Sequence, residues 1–200
     1  MSGVAIEVGY FRRWLQHFTV VDNLAVTADD FDQFSIVAPA DPRLPNGGGY
    51  TVSGLYNVKP ARSGLTDSLT TLSDKYGNQT SMYNGILINV SARRPNGLTV
   101  QGGVNIGKTV TDTCEIRSVL PEIAPLDPYC HNDPGFITRV SGLAAYTVPK
   151  LDVLVSGTFR SDQGAPLAAN YVVTSAVAAQ TLGRPLSGGV PSVTVNLLKP

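Results

Sequence analysis

The stretch Ile86-Leu87-Ile88-Asn89-Val90-Ser91-Ala92-Arg93-Arg94-Pro95-Asn96-Gly97-Leu98-Thr99-Val100-Gln101-Gly102-Gly103-Val104-Asn105-Ile106 decides the architecture. Successive side chains of a β-strand point to opposite sides. Ile86, Ile88, Val90 and Ala92 therefore share one side, with Asn89, Ser91 and Arg93 on the other. Asn96-Gly97 within Arg94-Pro95-Asn96-Gly97 is a strong reversal signal. Beyond it, Leu98, Val100, Gly102, Val104 and Ile106 alternate with Thr99, Gln101, Gly103, Asn105 and Gly107. The stretch predicts a hairpin that is oily on one side and small and polar on the other.

The same plan recurs outward from it. Val140, Gly142, Ala144, Tyr146 and Val148 alternate with Arg139, Ser141, Ala145 and Thr147. A brief Pro149-Lys150 turn then leads to Leu151, Val153, Val155, Gly157 and Phe159, opposed by Asp152, Ser156, Thr158 and Arg160. Val4, Ile6, Val8 and Tyr10 form an earlier strand that is expected to run on through Phe18 and Val20. Val193, Val195 and Leu197 form a late one, for about six principal strands. Helical periodicity is hard to find. Two connections are very short, whereas 23–80, 111–135 and 161–190 are long and rich in Gly, Pro, Asn and Asp.

Composition narrows the reading. Lys and Arg number 15 and Asp and Glu 15, so no basic surplus exists to neutralise phosphates, and nucleic acid is excluded as a partner. Charged residues are only 15%, below the ~25% of ordinary soluble domains. No run approaches the ~20 apolar residues of a membrane helix, and Glu7, Arg12 and Arg13 interrupt any signal-peptide core. A sheet with one oily side, short turns at one end and long loops at the other is the layout of an outer-membrane barrel. Only a closed sheet pairs every backbone group inside hydrocarbon. Tyr10, Phe11, Trp14, Phe18, Tyr83, Phe136, Tyr146 and Phe159 fall near strand ends or margins, where interfacial girdles lie. A soluble sandwich also alternates. The low charge and the loop asymmetry favour the barrel.

Several pieces resemble late barrel strands of one bacterial family. They include Val8-Gly9-Tyr10-Phe11-Arg12-Arg13-Trp14, Asn96-Gly97-Leu98-Thr99-Val100-Gln101-Gly102-Gly103 and Gly107-Lys108-Thr109-Val110-Thr111-Asp112-Thr113-Cys114. Tyr146-Thr147-Val148-Pro149-Lys150-Leu151-Asp152-Val153 and Leu182-Gly183-Arg184-Pro185-Leu186-Ser187-Gly188 extend the likeness over nearly the whole chain. The family is the TonB-dependent-receptor-like outer-membrane proteins of the carboxypeptidase-regulatory-like (Oar-like) type. The resemblance implies a transport receptor in the bacterial outer membrane, whose external loops capture and admit a ligand. It also implies that 1–200 is one β domain, a partial barrel segment whose partners are lipid and the remaining strands or plug of a longer parent. Family members end in an aromatic residue, whereas this chain ends Leu198-Lys199-Pro200. Six strands would leave two open sheet edges, prone to self-association.

Chemistry-bearing residues are sparse. Cys114 and Cys130 are the only cysteines, too few for a metal site. A disulfide is the economical reading, against two unpaired thiols. His131, with Asp127 and Asp133 nearby in sequence, and His17 are the loop candidates if the chain is an enzyme. A polar loop around a disulfide accounts for His131 as well, and an interfacial position for His17. Asp29, Asp30 and Asp32 lack the spacing of a calcium loop, which points to a helix N-terminus or solvated loop. No cofactor motif is present. Arg12, Arg93, Arg139 and Arg160 are expected to face the lumen or the interface. The rivals from other classes are a soluble β-protein hydrolase and a binding module using Tyr50, Tyr56 and Tyr129.

Overall fold

The computed structural model describes residues 3–164 and 166–199. Pro200, which entered the reading of the chain's last residues, lies outside them, as do Met1, Ser2 and Ala165. With 51% strand against 16% helix and only antiparallel pairing, the protein is all-β. Its sheets do not close into a barrel among the described residues. The strands in chain order are β1 (Gly3–Trp14), β2 (Thr19–Asn23), β3 (Phe31–Val37), β4 (Thr51–Val58), β5 (Ser68–Leu72) and β6 (Thr80–Arg93). There follow β7 (Leu98–Asp112), β8 (His131–Asn132), β9 (Ile137–Val148), β10 (Val153–Asp162), β11 (Asn170–Thr174) and β12 (Ser192–Asn196). Two short helices, α1 (Cys114–Val119) and α2 (Ser175–Leu182), interrupt them. The chain forms two compact units, 1–14, 82–110 and 133–165 making the first and the intervening segments the second.

The first unit is a meander in the order β1-β6-β7-β9-β10. Its tight turns follow local chemistry. Gly97 adopts φ +82° and its N–H donates to Arg94 O (3.2 Å), closing the β6–β7 reversal. The second turn is longer than Pro149-Lys150. Lys150 (φ +80°) and Asp152 (φ +54°) both go left-handed, so Leu151 sits in the turn and β10 starts at Val153. The other connections all leave from the opposite end of the sheet, beyond Trp14, Met82, Val110 and Ile137.

The register carries one side across five strands. Val4, Ile6, Val8 and Tyr10 lie opposite Ala92, Val90, Ile88 and Ile86. Leu98, Val100 and Val104 lie opposite Tyr146, Ala144 and Val140, and Tyr146 in turn opposite Val155. This side is uncovered: Ile6 is 67% exposed, Val8 68% and Val155 58%. The other side carries Glu7, Asn89, Gln101, Asn105, Ser141, Arg139 and Arg160. Tyr83 lies there across Gly85 and Gly107, its Oη 2.2 and 2.4 Å from where their Cβ atoms would stand. Only glycine leaves room for that ring.

Two expectations are corrected here. β1 stops at Trp14 and does not continue to Val20: His17 turns left-handed (φ +57°), and Thr19–Asn23 becomes β2, paired with β5. The expected sixth long strand at 193–197 is the five-residue β12, paired with β11 in the second unit.

The stretches read as loops, 23–80, 111–135 and 161–190, contain most of the second unit. Phe34, Ile36, Val52 and Leu55 from β3–β4 pack with Val173, Ala178 and Val195 from β11, α2 and β12. Leu55, Val173 and Val195 are fully buried. Thr174 caps the start of α2, its Oγ1 accepting from Val177 N, and Gly183 caps its end in the left-handed region. Arg184 follows. Its guanidinium donates to Asp32 Oδ2 (2.7 Å), Asn57 Oδ1 (2.7 Å) and Ser187 Oγ (2.9 Å), tying α2 to the β3–β4 hairpin. Cys114 and Cys130 form the expected disulfide, which fastens the start of α1 beside β8.

Truncating Leu55 removes buried methyl groups and leaves a cavity, so Leu55→Ala is expected to lower the stability of this unit by about 3 kcal/mol. Urea titration followed by tyrosine near-ultraviolet circular dichroism measures the loss.

Candidate functional site

The polar side of the first unit is hollowed into a trough of about 510 Å³, lined by Glu7, Asn89, Ser91, Gln101, Gly103 and Ser141 among others. Alternation puts these residues on one side, and glycine deepens it. A Cβ at Gly103 would stand 2.3 Å from Asn89 Oδ1, so the missing side chain makes space for the amide. Amides, hydroxyls and one carboxylate can each exchange hydrogen bonds with a polar solute or with water. On the same side, Asp162 sits between Arg160 (2.5 Å) and Arg139 (3.8 Å), so opposite charges offset one another. Arg12 falls on the apolar side at the strand end, with Met82 Sδ 3.5 Å from its Nη2 and the Trp14 ring 5.9 Å away. Arg93 shares the polar side at the other end.

Most of the aromatic residues read as marginal are exposed in this unit: Tyr10, Phe11, Trp14, Phe136 and Phe159. Lys108 Nζ pairs with Asp133 (2.6 Å) and lies 5.3 Å from the Phe136 ring.

The histidines separate from one another. His17 is exposed in the turn after β1. His131 Nδ1 meets Asp112 Oδ2 at 2.9 Å, across the short β7–β8 pairing that sets Asp112 opposite His131. The backbone N–H of Cys114 and then His131 hold the Asp112 carboxyl below its usual range. Asp127 is turned to its own loop, accepting from Tyr129 N (3.0 Å), and Asp133 to Lys108. The partner of His131 thus comes from a strand end 19 residues back, a distance at which adjacency in sequence carries no signal. Among the described residues no hydroxyl hydrogen-bonds either histidine, and both thiols are in the disulfide. A nucleophile–histidine–carboxylate set is not assembled there.

The remaining candidates have structural partners. Asp30 closes a capping box with Thr27 at a short helical turn and pairs with Arg62 (3.2 Å), while Asp32 takes Arg184. Tyr50 and Tyr129 both donate to Leu197 O, at 2.9 and 2.8 Å. Tyr56 accepts from Gln33 and lies beneath the Arg117 guanidinium. Among the described residues no three His, Cys, Asp or Glu side chains converge as metal ligands would.

Sequence reading passed over a second hollow, of about 260 Å³, in the second unit. Phe31, Tyr56, Leu65, Leu126 and Glu122 line it. Glu122 Oε1 accepts weakly from Asn23 N (3.4 Å), while Oε2 is buried with no partner. Burial pushes the Glu122 carboxyl up, with the Asp22 carboxylate adding to it. Asp22 itself is buried and accepts from Tyr76 Oη (2.5 Å). Pro121-Glu122-Ile123 reads as an ordinary loop acid, because burial by residues from distant segments leaves no local mark.

No family model, curated protein or solved structure matches the chain.

A carboxyl raised on folding costs stability because the unfolded chain releases that proton first, so the cost of Glu122 is absent near pH 4, grows as pH rises from the ordinary carboxyl range toward its folded value, and is constant above it. Glu122→Gln is therefore expected to melt above the parent at pH 7, with the gap closing toward pH 4. Thermal scans of both proteins across that range decide it.

Proposed function

We propose that the first unit is a section of an outer-membrane β-barrel wall from a TonB-dependent-receptor-like protein. Its apolar side meets lipid, its polar trough faces the lumen, and the long connections lie externally to capture a ligand for transport. One observation carries this: the oily side chains run unbroken across five paired strands and none of them is tucked into a core of the sheet's own. A soluble monomer rarely leaves an apolar patch of more than a few hundred Å² uncovered. Among the described residues no helix is long and apolar enough to cross a membrane, so a crossing would fall to strands. β1, β6, β7, β9 and β10 have 10 to 15 residues each, matching the ~9–11 needed for a tilted span. All long connections leave from one end, as short-turn and long-loop asymmetry requires. The polar side needs no lipid contact, which accounts for its amides, hydroxyls and paired charges.

Val104 lies midway along the central strand on the apolar side, and Gln101 of the same strand faces the polar side. In vesicle flotation the parent chain is expected to rise with the lipid. Arg at mid-bilayer costs about 2–4 kcal/mol, so Val104→Arg should bind at least ~30-fold more weakly, while Gln101→Arg should bind as the parent does. A parent chain left in the aqueous fraction, or equal losses in both variants, would sink the proposal.

A further inference from the structure

Among the described residues β1 pairs with β6 alone, over all twelve of its residues and without a bulge. Its free edge is legible at the level of single backbone groups. Leu15 N donates to Ser81 O (3.0 Å), one step beyond the Trp14–Met82 pair. Hydrogen-bonded and non-bonded pairs alternate in an antiparallel ladder. The odd-numbered residues of β1 therefore turn their N–H and C=O toward β6, and Ile6, Val8, Tyr10 and Arg12 turn theirs outward. Edges of this kind are commonly blunted by proline or a bulge. β1 has neither.

We propose that a second copy of this chain adds to β1 antiparallel, on a two-fold axis through Tyr10. In that register Tyr10 exchanges both backbone hydrogen bonds with its counterpart. Glu7 lies opposite Arg13 on the polar side, and symmetry makes the pair twice. Sliding the copies by two positions keeps the backbone bonds but sets Glu7 opposite Phe11 or Leu15. The charges thus choose the register.

The other edge fits less well. Five alternating strands make β1 and β10 run the same way, so a head-to-tail contact of β10 on β1 would be parallel, the slightly weaker pairing. On β10, Arg160 and Asp162 already pair within their own strand. Setting them opposite a copy would leave only residues 160–162 overlapping. The two-fold contact also sends the long connections of the two copies to opposite ends. It is therefore a state of the chain in water, read from β1 alone and independent of the membrane proposal.

Sedimentation velocity of the full chain in detergent-free buffer tests it, and a dimer is expected. Val8→Pro deletes an outward N–H that β6 does not use, and should give a monomer with unchanged strand content by circular dichroism. Glu7→Arg turns two attractions into repulsions, each opposed pair being worth about 0.2–1 kcal/mol, and should raise the dimer dissociation constant about tenfold. The double exchange Glu7→Arg with Arg13→Glu should restore it. A monomeric parent, a folded Val8→Pro dimer, or a double exchange as weak as Glu7→Arg alone would overturn the contact.

Discussion

Backbone pairing without a slip is the constraint on which the first unit depends. The side-chain period of a strand is two, so a one-residue shift at any pairing would throw a whole strand's apolar set to the opposite side. The β1–β6, β7–β9 and β9–β10 registers run unbroken. Five separate alternations thereby merge into one oily surface and one polar one. The merging has an energetic consequence. Each exposed Å² of apolar surface forgoes about 25 cal/mol relative to burial, and Val4, Ile6, Val8 and Val155 are all more than half exposed. The ladder holds the sheet together while leaving its largest source of hydrophobic stabilisation unused.

The second unit obeys a different logic, because its core is recruited from segments far apart in the chain. Neither the β3–β4 hairpin nor the β11–β12 pair is long enough to bury a side alone. They cover one another through Leu55, Val173 and Val195. Arg184 then satisfies a cluster of polar groups that packing would otherwise strand: Asp32, Asn57 and Ser187 side chains together with the carbonyls of Asn57 and Val58. Arg117 acts similarly with less compensation. It donates to Ala124 O and Gly54 O and lies over Tyr56, and burial lowers its pKa. A buried guanidinium is costly unless its donors are used. Here carbonyls use them.

These two logics explain what could be read from the sequence. The strands around 86–106 and 137–162 were legible because alternation is a local property and Asn96-Gly97 marks its own reversal. The extent of β1 was not, since nothing in Leu15-Gln16-His17-Phe18 states that the chain turns left-handed at His17. Val193, Val195 and Leu197 alternate as read, yet alternation gives an element without its partner, and β12 belongs with β11. The cap Thr174 and the terminator Gly183 mark α2, but eight residues give too few turns for a helical period to stand out beside the alternation around them. Of the site, the disulfide was legible from two cysteines alone. The His131–Asp112 pair was not, because the strand pairing that makes it joins residues from two ends of the cysteine loop.

The low charge content takes its meaning from where the charges stand. On the sheet, Glu7, Arg139, Arg160 and Asp162 occupy the polar side, and Arg12 meets Trp14 at a strand end. The middle of the apolar side carries Val8, Ile88, Val104 and Val140 instead. A sheet built for water would spend charges there and along its edges, since lysine on an edge or face is how soluble sheets avoid one another. Here the polar side is wetted by amides and hydroxyls, the middle of the apolar side carries no charge, and both edge strands keep unpaired backbone groups although charged side chains stand on them. The three unsatisfied surfaces call for hydrocarbon on one side and further strands at either flank. In the proposed reading one environment supplies all of these, a bilayer in which the wall continues, and it is the setting in which leaving a backbone edge unpaired is least affordable.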